Sequence, residues 1–234
     1  MKIAFISDIH GNFSALSAVF RDISKLKIKK VFCLGDIVNY YFEPDKCIDL
    51  LKKNNVSCIK GNHEKILFET LDNKIKLTKY AKIYGKSILI NLKKLKTKHL
   101  QFLNNLKYQK KIQINGKKIL LAHGAPWKND FYFYPNLNNK WVKKISKYKY
   151  DFIILGHTHI PMIKNLSKNR KLLNPGSVGQ PRDKTCGASW MILDTKNMDF
   201  KLVKTKYNHA TIKKQIYKYD KKNLKVLKYF NLCQ

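Results

Sequence analysis

The tightest constraint on this chain is positional: short apolar runs stop at turns, and the turns carry metal-type donors. The blocks are Asp8-Ile9-His10-Gly11-Asn12, Gly35-Asp36, Gly61-Asn62-His63-Glu64, His123-Gly124 and Gly156-His157-Thr158-His159. Five of the seven histidines fall inside them. Carboxylate, amide oxygen and imidazole are the donors that hard and borderline divalent cations need. Asp8, Asp36, Asn62, His123 and His157 each follow an apolar, strand-like run by two or three residues. In an open α/β sheet the C-terminal strand ends line one edge, where ligand crevices form. Distant segments would therefore deliver their donors to one place.

The patterning places those runs in an α/β fold. Residues 2–7 read as a buried strand, and 13–26 as an amphipathic helix with Leu16, Val19, Phe20, Ile23 and Leu26 on one face. A strand over 31–34, a helix from Pro44 to about residue 53 and a strand over 56–60 continue the βαβ alternation, which implies a mainly parallel sheet. Residues 64–106 read as helical and strongly basic, a cap-like insertion between the donor blocks. A hairpin over 109–122 turning at Asn115-Gly116 follows, then a helix over 135–148. Strands are expected at 151–155, 160–165, 171–173, 188–195 and 200–207, and helix from residue 211 onward. With no repeat and no linker, the reading is one domain over 1–234 containing two sheets.

Composition supports a folded core: 44% of the 234 residues are hydrophobic and 12% aromatic. No apolar run nears the roughly 18 residues needed to span a bilayer, and the N-terminus enters a strand directly, so no membrane insertion and a cytoplasmic location are expected. The five cysteines are scattered without a Cys-x-x-Cys spacing and read as reduced, structural thiols. A formal charge of +33 invites a polynucleotide reading. Against it, only Arg21, Arg170 and Arg182 are arginines, and the lysines are spread along the whole chain. Phosphate and base readers that bind in two-point fashion are usually Arg, so a solvated basic surface that steers anionic substrates is the favoured reading. Homo-oligomerisation is left open.

The ordered set Asp-x-His, Gly-Asp, Gly-Asn-His-Glu, His-Gly and Gly-His-Thr-His resembles the calcineurin-like metallophosphoesterases, as does the run Asn174-Pro175-Gly176-Ser177-Val178-Gly179-Gln180-Pro181-Arg182-Asp183, which is typical of the small bacterial and archaeal phosphodiesterase-type members. The resemblance implies a four-layer α-β-β-α sandwich of two mixed sheets flanked by helices. It also implies two divalent metals about 3.5–4 Å apart: Asp8, His10 and His159 on one, Asn62, His123 and His157 on the other, and Asp36 bridging. So many imidazoles favour Mn, Fe, Co, Ni or Zn over Mg, with Mn the expected ion. A metal-bridging hydroxide would attack phosphorus in line, His63 would be the general acid, and Asn12 and Arg182 would bind the phosphate. The implied function is hydrolysis of a small phosphodiester or phosphomonoester. A nucleotide-polyphosphate hydrolase or nuclease is the alternative, and a retromer-subunit-like scaffold a third reading that retention of His63 disfavours.

Each residue has a plainer reading in isolation. Asp8 could cap a helix, Asp36 and Asn62 could be turn residues, and His123 could be a satisfied core histidine. His63 could orient a ligand without touching a proton. Two features depart from the protein-phosphatase pattern. Gly35-Asp36 continues Ile37-Val38-Asn39-Tyr40-Tyr41, without the phosphate-binding Arg. Glu64 stands where Asp is common, and its longer arm is expected to alter the orientation of His63. His99 and His209 lie outside every block and read as surface residues.

Overall fold

A computed structural model describes residues 1–221. One sheet carries the strands β1 (Lys2–Ile6), β2 (Lys30–Cys33) and β3 (Ser57–Cys58) in parallel, extended by the antiparallel β9 (Ala188–Asp194) and β10 (Asp199–Thr205) in the order β10-β9-β1-β2-β3. The other runs β4-β5-β6-β8-β7. Its strands β5 (Lys117–Ala122), β6 (Phe152–Ile154) and β8 (Arg170–Asn174) are parallel, while β4 (Gln109–Ile114) and β7 (Met162–Ser167) are antiparallel edges. Both sheets are mixed.

Period-2 alternation sorts the side chains between layers. Ile3 and Phe5 of β1, Ile119 and Leu121 of β5, Phe152 and Ile154 of β6, and Met191 and Leu193 of β9 meet in one buried cluster between the sheets. Their neighbours point the other way. Ala4, Ile6 and Trp190 join the helices of the first sheet's outer face, and Leu120, Ala122 and Ile153 join those of the second. The result is helix, sheet, sheet, helix.

Local chemistry sets the helices. In α1 (Phe13–Lys25) the buried Leu16, Val19, Phe20 and Ile23 form one stripe, and the Asn12 side chain caps the start by accepting the Ala15 N–H. Pro44 opens α2 (Pro44–Lys53) at the position where its missing N–H costs nothing. Asn115 and Gly116, at φ +46° and +77°, make the left-handed pair that a two-residue hairpin turn between β4 and β5 requires.

The expected helical stretch over 64–106 is four helices, α3 (Asn62–Leu71), α4 (Leu77–Tyr84), α5 (Ser87–Lys94) and α6 (Thr97–Asn104). Asn73 at φ +58° and Gly85 at φ +91° interrupt it. Leu67, Tyr80, Ile88, Leu95 and Leu103 pack into the same cluster as α1 and α2, so the segment lies against the first sheet's helical layer. The helix expected over 135–148 starts later, as α7 (Asn139–Ser146), because Asn138 caps it by accepting the Lys140 N–H at 2.9 Å. The strand expected over 56–60 is only the two residues of β3. The C-terminal helix is seen as α8 (Ala210–Asp220), and the rest of that expectation falls outside the described residues. His99 is a correction: it is 1% exposed, held by the Lys96 N–H and by Asp49 at 3.2 Å. His209 is half-buried with its ring against Tyr207. No helix among the described residues is long and apolar enough to cross a membrane.

Candidate metal centre

The parallel strands β1, β2, β3, β5 and β6 bring their C-terminal turns to one crevice, and the turns are bonded to each other. The Asp8 N–H donates to Gly35 O, the His10 N–H to Asp36 O, and the Gly156 N–H to His123 O at 2.7 Å. Asp8, His10, Asp36, His157 and His159 all have left-handed φ between +53° and +67°. Such backbone costs on the order of 1–3 kcal/mol per non-glycine residue and survives only where surrounding contacts overdetermine it. Those contacts come largely from the segment after β8. Ser177 Oγ donates to Asp8 O, Asn174 Nδ2 to Gly156 O and Thr158 Oγ1, and the Gly179 N–H to Asp8 O. The 174–183 run is therefore the wall behind the donors.

Four imidazoles enter the crevice in a fixed tautomer. His10 Nδ1 faces Val38 O at 3.2 Å, His123 Nδ1 faces Leu34 O at 2.7 Å, and His159 Nδ1 faces Gln180 O at 2.6 Å. His157 uses the Asp130 main chain, and its buried Nε2 has no hydrogen-bond partner. A carbonyl can only accept, so each Nδ1 carries a proton and each Nε2 turns inward, where its lone pair is free for a cation once any Nε2 proton, as on His123, is lost.

These lone pairs crowd the carboxylates. His10 Nε2 lies 3.1 Å from His159 Nε2, which lies 3.4 Å from Asp8 Oδ1. His123 Nε2 lies 3.1 Å from Asp36 Oδ2 and 3.0 Å from Asn62 Oδ1. Asp8, His10 and His159 form one compact donor group, and Asp36, His123 and His157 another, with Asp36 also close to His10 and His63. Two donors on one cation at about 2.0–2.1 Å sit roughly 2.9–3.4 Å apart. The observed spacings, together with the orphaned Nε2 of His157, fit cation binding by these residues.

Electrostatics leads to the same place. Burial pushes the Asp8 carboxyl up to about 7. Burial also opposes charge at Asp36 and His123, yet their mutual attraction wins, holding Asp36 well below the usual carboxylate value and lifting His123 to about 9. Burial and the neighbouring His123 hold His157 down to about 3. Burial holds His10, His63 and His159 below the usual imidazole value, and the Arg182 guanidinium adds to that. So many buried lone pairs around so little positive charge is the situation a divalent cation relieves.

His63 is held differently. Its Nε2 is 4.0 Å from Asp36 Oδ2, while its Nδ1 faces side chains: the Tyr80 hydroxyl at 3.1 Å and Asn39 Nδ2 at 3.3 Å. Glu64 does not reach the His63 ring. Its fully buried carboxylate accepts the N–H groups of Asp36, Ile37, Val38 and Gly61, and so clamps the turn after β2 to the turn after β3. Arg182 sits at the rim, where Nη2 donates to Gln180 Oε1 and the guanidinium bonds Tyr40. Asn12 is fully buried: its amide donates to Gly179 O and Tyr207 Oη, and its oxygen caps α1. Tyr132, 44% exposed, lays its ring 4.0 Å from that of His157. Tyr40, Tyr80, Asn91 and Tyr132 were not singled out from the sequence as site residues, because aromatic and amide side chains in loops and helices carry no spacing signal.

A sequence model of the calcineurin-like phosphoesterase superfamily domain matches residues 1–198. The chain belongs to this superfamily. The chain is also similar to the uncharacterized protein MJ0912 of Methanocaldococcus jannaschii, 37% identical over 222 residues and 88% of each chain. The hypothetical protein PH1004 of Pyrococcus horikoshii shares the fold, with a TM-score of 0.84 at 21% identity over 97% of this chain and 96% of that one. A metallophosphoesterase of Sphaerobacter thermophilus does so at 0.75 and 24%, covering 93% and 94%. For a superfamily member, donor groups at the C-terminal strand edge and a sandwich of two mixed sheets are one architecture: the sheets exist as the frame that holds the crevice.

Proposed function

We propose that the crevice is a dinuclear centre that hydrolyses a small phosphodiester or phosphomonoester. The observation that carries this is the convergence of four Nε2 lone pairs on Asp8 and Asp36, each fixed by a main-chain acceptor on Nδ1. Asp8, His10 and His159 would hold one ion, Asn62, His123 and His157 the other, and Asp36 would bridge. Two such cations supply an activated water and neutralise charge that builds on the phosphoryl oxygens. Mn is the proposed ion, with Fe, Co, Ni or Zn compatible with the donors.

The chain's own groups do the rest. His63 has one nitrogen facing Asp36 and the other anchored, so when Nε2 carries a proton it is placed to give it to the leaving oxygen. Arg182, whose charge is felt at His10, His63 and His159, faces the phosphoryl oxygens. The site is buried: Asp8, His10 and His123 are 0% exposed, which strengthens each of these interactions. Diesters are favoured over monoesters because the 174–183 run resembles that of the small phosphodiesterase-type members, and the missing arginine after Asp36 weakens a protein-phosphatase reading.

The test is turnover of bis-p-nitrophenyl phosphate and p-nitrophenyl phosphate by chelated protein, before and after addition of each metal. Metal-dependent hydrolysis with preference for the diester supports the reading. Absence of metal-stimulated turnover on these and on a broad panel of phosphoesters overturns it.

A further inference from the structure

Beyond the donor block that opens α3, buried side chains of α4 and α5 reach the surroundings of His63. Tyr80 of α4 is 3% exposed, and its hydroxyl lies 3.1 Å from His63 Nδ1. Asn91 of α5 accepts the Asn39 N–H at 2.8 Å and donates to Tyr41 O at 2.8 Å, which fixes the turn that carries Asn39 against His63. We infer that Tyr80 is a positioning residue for His63: its hydroxyl, 3.1 Å from Nδ1, holds the ring so that Nε2 is the nitrogen turned to Asp36 and the leaving group. This rests on the phosphoesterase reading above.

The argument is the contrast in anchors. The four lone-pair-presenting histidines are held through Nδ1 by main-chain carbonyls, which fix a single tautomer. A hydroxyl differs from a carbonyl in that it can donate as well as accept, so Tyr80 holds the His63 ring through Nδ1 without dictating which nitrogen carries the proton. Asn39 lies beside the same nitrogen, its Nδ2 3.3 Å from Nδ1 and donating to His63 O at 3.3 Å. The helical segment therefore holds the proton donor, through Tyr80, and the loop beside it, through Asn91.

The experiment compares Tyr80→Phe, which keeps the ring in the core, with wild type, His63→Ala and the double variant. The substrates are one phosphodiester with a p-nitrophenyl leaving group and one with an alkyl leaving group, each assayed at defined Mn²⁺. A good leaving group departs without a proton, so loss of a positioned acid shows only on the alkyl ester. The expected result is a fall in kcat of about tenfold on the alkyl ester, part of the roughly 10²–10⁴-fold an acid contributes. On the p-nitrophenyl ester the change stays within about twofold, KM is unmoved, and Tyr80→Phe adds nothing in the His63→Ala background. Equal losses on both esters, or losses that add to those of His63→Ala, overturn the inference and leave Tyr80 a packing residue. If His63→Ala itself shows no leaving-group dependence, the acid reading of His63 fails first. Tyr80→Leu, also without a hydroxyl, is the second variant if Tyr80→Phe does not fold.

Discussion

Gly61→Ala perturbs the geometry of Asp36, the carboxylate proposed to bridge the two cations. Gly61 has φ −87° and ψ −177°, a conformation any residue adopts, so alanine adds no backbone strain. Its Cβ would lie 2.1 Å from Asp36 Oδ1 and 2.4 Å from the Asp36 N atom. Carbon and oxygen approach to about 3.3 Å in tolerated contacts, so the Asp36 side chain must move by about 1.2 Å relative to the turn after β3. A misplacement of about 1 Å in a reacting site costs on the order of 10²-fold in rate, near 2.7 kcal/mol of barrier. The overpacking itself costs about 1–3 kcal/mol of stability, which a domain of this size shows as a few degrees in Tm. The assay is metal content by plasma mass spectrometry, kcat/KM on bis-p-nitrophenyl phosphate at saturating Mn²⁺, and a melting curve. Gly116→Ala is the control: nothing lies within 4 Å of its Cβ, while its φ of +77° costs about 1 kcal/mol, so stability falls and the site does not change. Wild-type metal content and a rate within twofold in Gly61→Ala would refute the placement of Asp36 between the two donor groups.

Other outcomes follow from the same geometry. His63→Ala should lose about 10²–10⁴-fold in kcat on a phosphodiester with an alkyl leaving group while both metals are retained, since its Nε2 is proposed to donate a proton rather than hold a cation; steady-state kinetics with metal analysis checks this. Trp190→Phe removes a buried indole that donates to Thr205 Oγ1 at 2.9 Å and leaves a small void, and urea unfolding should show a loss of about 1–3 kcal/mol. Burial works against charge at Asp151, but the Lys118 N–H at 2.9 Å and Lys117 Nζ at 3.2 Å win and hold its carboxyl below the usual value. A depressed carboxyl stabilises above the unfolded pKa, about 3.9, and loses that contribution as pH falls through the folded value. Asp151→Asn should therefore be less stable than wild type at neutral pH, with the gap closing below about pH 4 in denaturant titrations.

The donor blocks and the strand pattern were legible because both are local. Asp8, Asp36, His123 and His157 announce themselves by following apolar runs, and Asn115-Gly116 names its own turn. What stayed hidden depends on long-range contacts. Asn12 reads as a phosphate donor from its block, but only the fold shows that Gly179 and Tyr207 already use its amide. Glu64 looks like a modifier of its neighbour His63, whereas its four N–H partners sit on two separate turns. Tyr80 reaches His63 from 17 residues away through a helix packing angle that no periodicity encodes. His99, polar and preceded by Lys96 and Lys98, is buried because Asp49 and the Lys96 N–H satisfy both ring nitrogens. The left-handed φ at Asp8, His10, Asp36, His157 and His159 is likewise set by bonds between turns rather than by residue type.

The central claim is that two donor groups sharing Asp36 each take a divalent cation, and metal stoichiometry tests it most directly. Chelated protein titrated with Mn²⁺ and followed by calorimetry and plasma mass spectrometry should take up two ions per chain, and Asp36→Asn should lose at least one of them together with activity. One ion or none in the wild-type protein, or two tightly held ions in Asp36→Asn, would contradict the account.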